Sequence, residues 1–353
     1  LEQLKKQPIF DITAPNKSTR IVNGECSGIL NWDDIRMPKM YKLYKVLIGN
    51  HWIPDEIPMN ADKMQFEEEL SEQEQTAYLK IIGLLGVLDS MQSMYVADVK
   101  DYLTDSSLQA ICGIIGQQEI IHNQSYTYVL SSIADYETQK EVFEYWKTDE
   151  VLLKRNLFIR ELYQDFRDNP TPQTFFKSLV ADIILEGLDF YTGFAFFYSL
   201  ARVGSQRMMR TAEMASYIQR DERQHVYFFS EVFKQLLKDY PELNTEENMQ
   251  WTVETFRTAV DLEIAWSHHV LGELDNVDLD EFESYVKWVA NQRLVMMGLG
   301  KHFEGENVMP WIRPFSDEAL NATKTDFFEA KSKQYAKVST ANGFDKLQNR
   351  KKK

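Results

Sequence analysis

Cysteine is nearly absent: Cys26 and Cys112 are the only two in 353 residues, so no disulfide framework is available and a reducing compartment is the default. Positive charge is also scarce. Thirty-nine Lys and Arg face 54 Asp and Glu, a formal net charge of -15, which argues against a nucleic-acid partner. No window holds 18 uninterrupted apolar residues, and the first 20 are not a basic segment followed by an apolar one. The chain therefore reads as cytoplasmic, without a membrane partner. Proline is missing where it would matter most. Over residues 61–300 only Pro170, Pro172 and Pro241 interrupt the chain, and no strand alternation punctuates the long 3.6-period patterns. An α/β fold is excluded.

What is present is an apolar fraction of 44% with 13% aromatics, enough for a large aromatic-rich core. Residues 1–60 carry five of the ten prolines and read as an N-terminal arm with short helical pieces. Residues 61–325 read as one helical domain, and 326–353, which lose apolar periodicity and end in Arg350-Lys351-Lys352-Lys353, as a flexible tail.

Ser71 and Glu74 form a capping box ahead of a stripe containing Tyr78, Ile81, Ile82, Leu85, Leu88 and Met91. Further helices are expected over 106–130, within 140–167, from Thr171 or Pro172 to Leu200, over 205–238, and over 247–271 and 280–297. The first, second, fourth and fifth of these can build an all-α bundle core, with the others packed outside.

Two of the core helices carry the same short motif, Glu119-Ile-Ile-His122 and Glu222-Arg-Gln-His225. Glu-x-x-His sets a carboxylate and an imidazole on one helix face. One copy is weak evidence, but two on long apolar helices are not. The other two core helices each offer one isolated carboxylate, Asp89 after Gly86-Val87-Leu88 and Glu186 within Ile183-Ile184-Leu185-Glu186-Gly187-Leu188. Neither has a basic residue within four positions, so surface ion pairing does not explain them, and an unpaired buried carboxylate is costly. Four carboxylates and two histidines are the inward-facing ligand set of a dimetal carboxylate bundle. Hard oxygen donors suit iron or manganese, and two adjacent metals can supply electrons to dioxygen. Tyr126 shares the face of Glu119 and His122, which brings its phenol towards the cluster near Asp89. The spacing leaves it either a core residue or an oxidisable group.

At these residues the chain resembles the radical-generating small subunit of class I ribonucleotide reductase, a ferritin-like family, over about Trp52 to Leu299. The resemblance implies a first metal site at Asp89, Glu119 and His122, and a second at Glu186, Glu222 and His225. It places the radical tyrosine at Tyr126, a shielding apolar pocket at Phe190, Phe194 and Ile218, and an electron route through Trp52 and Asp221. Tyr335 corresponds to the family's tail tyrosine, and Gly343-Phe344-Asp345-Lys346-Leu347 to its docking element, although the closing Gln-Asn-Arg-Lys-Lys-Lys departs from the family's acidic, hydrophobic end. The resemblance further implies a homodimer and a separate large catalytic subunit. The two ions would be iron, manganese or one of each, activated by dioxygen or superoxide, with a flavodoxin-like activase if manganese is used. All six ligands are kept, unlike in metal-free relatives. A ferritin-like dimetal oxidase would share the bundle and ligands but would need neither Trp52, Asp221 nor the tail tyrosine. An iron-storage protein would need a mineral and a shell.

Overall fold

The computed structural model describes residues 2–25 and 28–315, so Cys26, Tyr335 and the expected docking element lie outside the described residues. Residues Leu1–Pro310 form one compact unit. Its described part is all-α apart from an isolated bridge between Val22 and Leu103. Eleven α-helices are described, and four positions along the chain, α3 (Glu72–Tyr102), α4 (Ser106–Ile133), α7 (Pro172–Ile184) and α9 (Met209–Asp239), supply the bundle core. Within it α3 packs along α4, α7 against α9, and α4 against α9. The remaining helices are α1 (Lys39–Gly49), α2 (Asn60–Glu68), α5 (Tyr136–Glu144), α6 (Glu150–Asp168), α8 (Tyr191–Ala201), α10 (Glu246–Leu271) and α11 (Leu279–Met297).

Local chemistry sets the helix starts. Ser71 Oγ accepts from the Glu74 amide while Glu74 returns the bond to the Ser71 amide, so two otherwise orphaned donors are satisfied at the head of α3. Thr171 caps α7 with Pro172 at its first turn, and Asp105 caps α4 through the amides of Ser107 and Leu108. Of the expected stripe, Tyr78, Ile81, Ile82, Leu85 and Leu88 are buried to within 1%, while Met91 is half-buried. By length and apolarity α3 could cross a bilayer, yet 61% of its apolar window is buried within the protein. The arm is pinned to the bundle at particular points: Ile21 and Val22 are fully buried, the Ile21 amide donates to Asp239, and Arg36 pairs with the same carboxylate, whereas Ile9, Phe10 and Ile12 are exposed.

Three helix boundaries differ from the sequence expectation. The helical region 140–167 is two helices, α5 and α6, separated by a 3₁₀ turn over Tyr145–Lys147. The fifth expected helix, α9, starts at Met209 rather than 205, because Gly204, Gln206 and Met208 all take positive φ, which a helix cannot continue through. The expected single helix from Pro172 to Leu200 is interrupted by a π-helical turn, Leu185–Asp189, between α7 and α8. That turn carries Glu186.

Candidate metal centre

Six ionisable side chains meet in the core with no solvent exposure: Asp89 from α3, Glu119 and His122 from α4, Glu186 from the π turn, and Glu222 and His225 from α9. Their ligand atoms form two overlapping groups, Asp89–Glu119–His122–Glu222 and Glu119–Glu186–Glu222–His225, each with all atoms within 4.8 Å of one another. Glu119 and Glu222 belong to both groups and can bridge. Each also reaches across to the other helix's histidine: Glu222 Oε1 lies 3.0 Å from His122 Nδ1, and Glu119 Oε1 lies 2.8 Å from His225 Nδ1. Two motifs read separately along the chain cannot reveal that crossing, which depends on how α4 faces α9.

Both imidazoles turn Nδ1 into the cluster and Nε2 away from it. His122 Nε2 lies 3.4 Å from Asp221 Oδ2, and His225 Nε2 lies 3.0 Å from Gln118 Oε1. An imidazole that ligates through Nδ1 carries its proton on Nε2, so Asp221 and Gln118 act as acceptors that orient the ring and raise its basicity. Gln118 was missed from sequence although a signal existed. Asp221 and Gln118 each immediately precede the glutamate of a Glu-x-x-His, and each serves the histidine of the other motif. The two acceptors differ in charge, carboxylate against neutral amide.

The donor set fits metal ions. Both oxygens of Asp89, both of Glu119, Glu186 Oε2, Glu222 Oε1 and His122 Nδ1 are buried without a well-formed hydrogen bond, the close contacts of the last two and of Glu119 being with other members of the cluster. Orphaned polar atoms converging on one place are costly unless a cation satisfies them. Four carboxylates also match the charge of two divalent ions.

Without metal the cluster retains protons. Burial, then the Glu119 charge, pushes Asp89 well above the usual carboxylate range, and burial with Asp182 and Glu119 does the same to Glu186. Burial would lower His225, but Glu119 and Glu222 outweigh it and push the imidazole up to about 9. Burial would raise Glu119, yet His122 and His225 bring it down to about 2. The raised carboxyls therefore contribute stability to the metal-free chain at acid pH, and that contribution is lost as pH rises through their raised values. Ligation requires deprotonated groups, so metal uptake is expected to release protons, and apparent affinity to climb as pH rises towards about 9, where His225 gives up its proton. A pH-stat titration with Mn(II) measures both, and uptake without proton release would contradict the protonated cluster.

Around the ligands, Trp52 is 5% exposed and its Nε1 donates to Asp221 Oδ2 at 2.9 Å, the same oxygen that faces His122. The Trp52 and His122 rings are 6.3 Å apart between centroids. Burial alone would raise Asp221, but His122 and Arg220 hold it below the usual carboxylate range. It stays ionised. The Tyr126 hydroxyl is buried beside Asp89 without a well-formed hydrogen bond, and burial, then the Asp89 charge, pushes it well above the usual phenol range. Phe190, Phe194 and Ile218 are all buried, the two phenylalanine rings 5.8 Å apart. Sequence reading also missed a polar shell beyond Glu186. Gln92 donates to both Glu186 and Asp182, and its carbonyl accepts from Tyr163 at 2.7 Å.

The family model for the ribonucleotide reductase small chain matches residues 29–310. The chain is 51% identical to ribonucleoside-diphosphate reductase subunit beta of Halalkalibacterium halodurans over 350 residues, covering 98% of this chain and 100% of that one. It is 34% identical to the subunit beta of Treponema pallidum, with 91% of each covered. Among solved structures, the R2 subunit of ribonucleotide reductase from Clostridium botulinum is similar with a TM-score of 0.85 and 33% identity, over 89% of this chain and 99% of that one.

Proposed function

Because the chain belongs to the ribonucleotide reductase small-chain family, we propose that its six-ligand cluster loads two iron or manganese ions and uses them to oxidise Tyr126. It is the radical-generating small subunit of a class I enzyme, with a dimetal centre, and works within a complex rather than alone. When bound, the two metals supply the electrons that reduce dioxygen or superoxide, with a flavodoxin-like activase delivering the oxidant where manganese is used.

The chain's own residues do the rest. Burial and the Asp89 charge oppose a phenolate at Tyr126, so the side chain is held as a neutral O–H. Losing an electron there must be coupled to losing the proton. Burial of Tyr126 excludes water, and the family resemblance gives Phe190, Phe194 and Ile218, all buried as well, as the apolar pocket that would shield the oxidised phenol. Exit then runs by His122, Asp221 and Trp52 towards the tail tyrosine Tyr335 and a separate large subunit, where ribonucleotide reduction takes place. The observation that carries this reading is the shared Asp221 Oδ2, which faces His122 Nε2 on one side and accepts from Trp52 Nε1 on the other. A self-contained oxidase has no use for that connection. A homodimer is expected by family resemblance.

The test is reconstitution with Fe(II) and, separately, with Mn(II), followed by addition of a matching large subunit. Metal content, the paramagnetic signal and deoxyribonucleotide formation are measured. Tyr126→Phe is expected to keep both ions while losing the phenoxyl signal and nucleotide reduction. Undiminished reduction by that variant would move the stored oxidant from the tyrosine to the metals.

A further inference from the structure

The π turn that carries Glu186 is held from outside the bundle core by two buried arginines. Arg155 of α6 is 1% exposed and donates from Nη2 to the backbone carbonyl of Asp189. Its Nε donates to Glu263 Oε2 of α10 at 2.6 Å, and Glu263 is fully buried. Arg293 of α11 is 6% exposed, and its Nε donates to the backbone carbonyl of Gly187 at 2.8 Å. Thus α6, α10 and α11, none of which contributes a metal ligand, converge on the residues one and three places after Glu186.

Residue 187 makes the approach possible. A Cβ built there would meet Arg293 Nε at 2.9 Å, Cδ at 3.0 Å and Cγ at 3.1 Å, so glycine leaves the space that the guanidinium stem occupies. The Arg293 guanidinium also lies 4.8 Å over the Tyr191 ring, which fixes its plane beyond the turn. A π turn inserts a residue into the α register and rotates everything after it relative to everything before it. Its widened carbonyls are bonded here by charged donors, which are stronger than neutral ones.

We propose that Arg155 and Arg293 are positioning residues that lock this turn in its π register, and thereby set where the Glu186 carboxylate stands in the second metal group. Neither touches the ligand. Each acts through a backbone carbonyl, and Arg155 is in turn held by Glu263. The inference rests on the two-metal reading of the site, and the experiment separates the two.

Mn(II) binding to the full-length metal-free chain is titrated at equilibrium, and the two steps are assigned with Asp89→Ala and Glu186→Ala. Arg293→Met, which keeps the stem and removes the donor, is expected to weaken the step that Glu186→Ala removes by about 10- to 100-fold, the usual cost of losing a partner one bond beyond a ligand. The step that Asp89→Ala removes should stay within about threefold of wild type, well under that cost. Arg293→Lys, which retains a cationic donor, should recover most of the loss. Gly187→Ala should reproduce it by displacing the guanidinium. Arg155→Lys gives the same comparison at the second anchor without stranding Glu263. Thermal unfolding of each metal-free variant is recorded alongside. If both steps weaken equally, in proportion to lost thermal stability, the arginines are structural only and the proposal fails. It fails equally if neither step changes. A wild-type chain that binds no pair of ions overturns the metal reading itself, and this inference with it.

Discussion

Trp52→Phe is expected to bind two ions and consume dioxygen as the parent chain does, yet to lose nucleotide reduction at least about a hundredfold, or about 2.7 kcal/mol of barrier at 1.36 kcal/mol per factor of ten. Phenylalanine keeps a buried ring against Tyr217 and His122, whose centroids lie 5.5 and 6.3 Å from that of Trp52. It removes the Nε1 donor and the readily oxidised indole. Asp221 is not orphaned by the change, because Arg220 pairs with its other oxygen at 3.0 Å and His122 remains opposite. The His122 ring therefore keeps its acceptor, and the cluster behind it keeps its geometry. The loss should appear in kcat with KM nearly unchanged, since no substrate touches this residue. Full reduction by Trp52→Phe would sink the route. Metal-dependent dioxygen consumption by the parent chain, with no nucleotide reduction alongside any large subunit, would instead favour a ferritin-like oxidase.

Glu222→Ala is expected to eliminate both metal ions, whereas Glu186→Ala should eliminate one. Glu222 is a member of both ligand groups and Glu186 of only one. Glu222 also contacts both imidazoles, at 3.0 Å from His122 Nδ1 and 3.1 Å from His225 Nδ1. Losing a ligand shared by two sites should exceed the ~10–100-fold in affinity that an orienting partner costs. Part of any effect could come from stranding two buried histidines, since breaking a buried ion pair costs about 3–5 kcal/mol. Glu222→Gln separates the contributions: it keeps the shape and a hydrogen-bonding oxygen but removes the bridging charge. Elemental analysis after dialysis gives the stoichiometry. Two tightly held ions in Glu222→Ala would show that Glu222 does not bridge.

Much of this protein can be read along the chain because its periodicities are local. A helix repeats every 3.6 residues, so Tyr78, Ile81, Ile82, Leu85 and Leu88 declare the buried face of α3, and Ser71 with Glu74 declares its start. Glu119 with His122, and Glu222 with His225, declare a shared face for the same reason. Asp89 and Glu186 stand out because a lone carboxylate in an apolar helix has few explanations.

What could not be read is whatever depends on contacts between helices or on a change in helical register. The π turn at Leu185–Asp189 is invisible to a pattern search that assumes one pitch from Pro172 to Leu200, because its carbonyls find their donors on Arg155 and Arg293, 30 or more residues away in sequence. The start of α9 shifted to Met209 for a related reason: three positive-φ residues are set by the loop's path, not by residue preference alone.

By itself, then, the sequence determined an all-α bundle and singled out the six buried residues that the fold gathers as candidate ligands, since each rests on spacing within one helix or on an isolated charge in an apolar run. Tertiary structure alone decided the pairing. It made Glu119 and Glu222 common to both groups, turned Gln118 to His225 and Asp221 to both His122 and Trp52, and anchored the Glu186 turn from α6 and α11. Those facts follow from the relative rotation of packed helices, a quantity that no single helix encodes and that only the filling of a common core fixes.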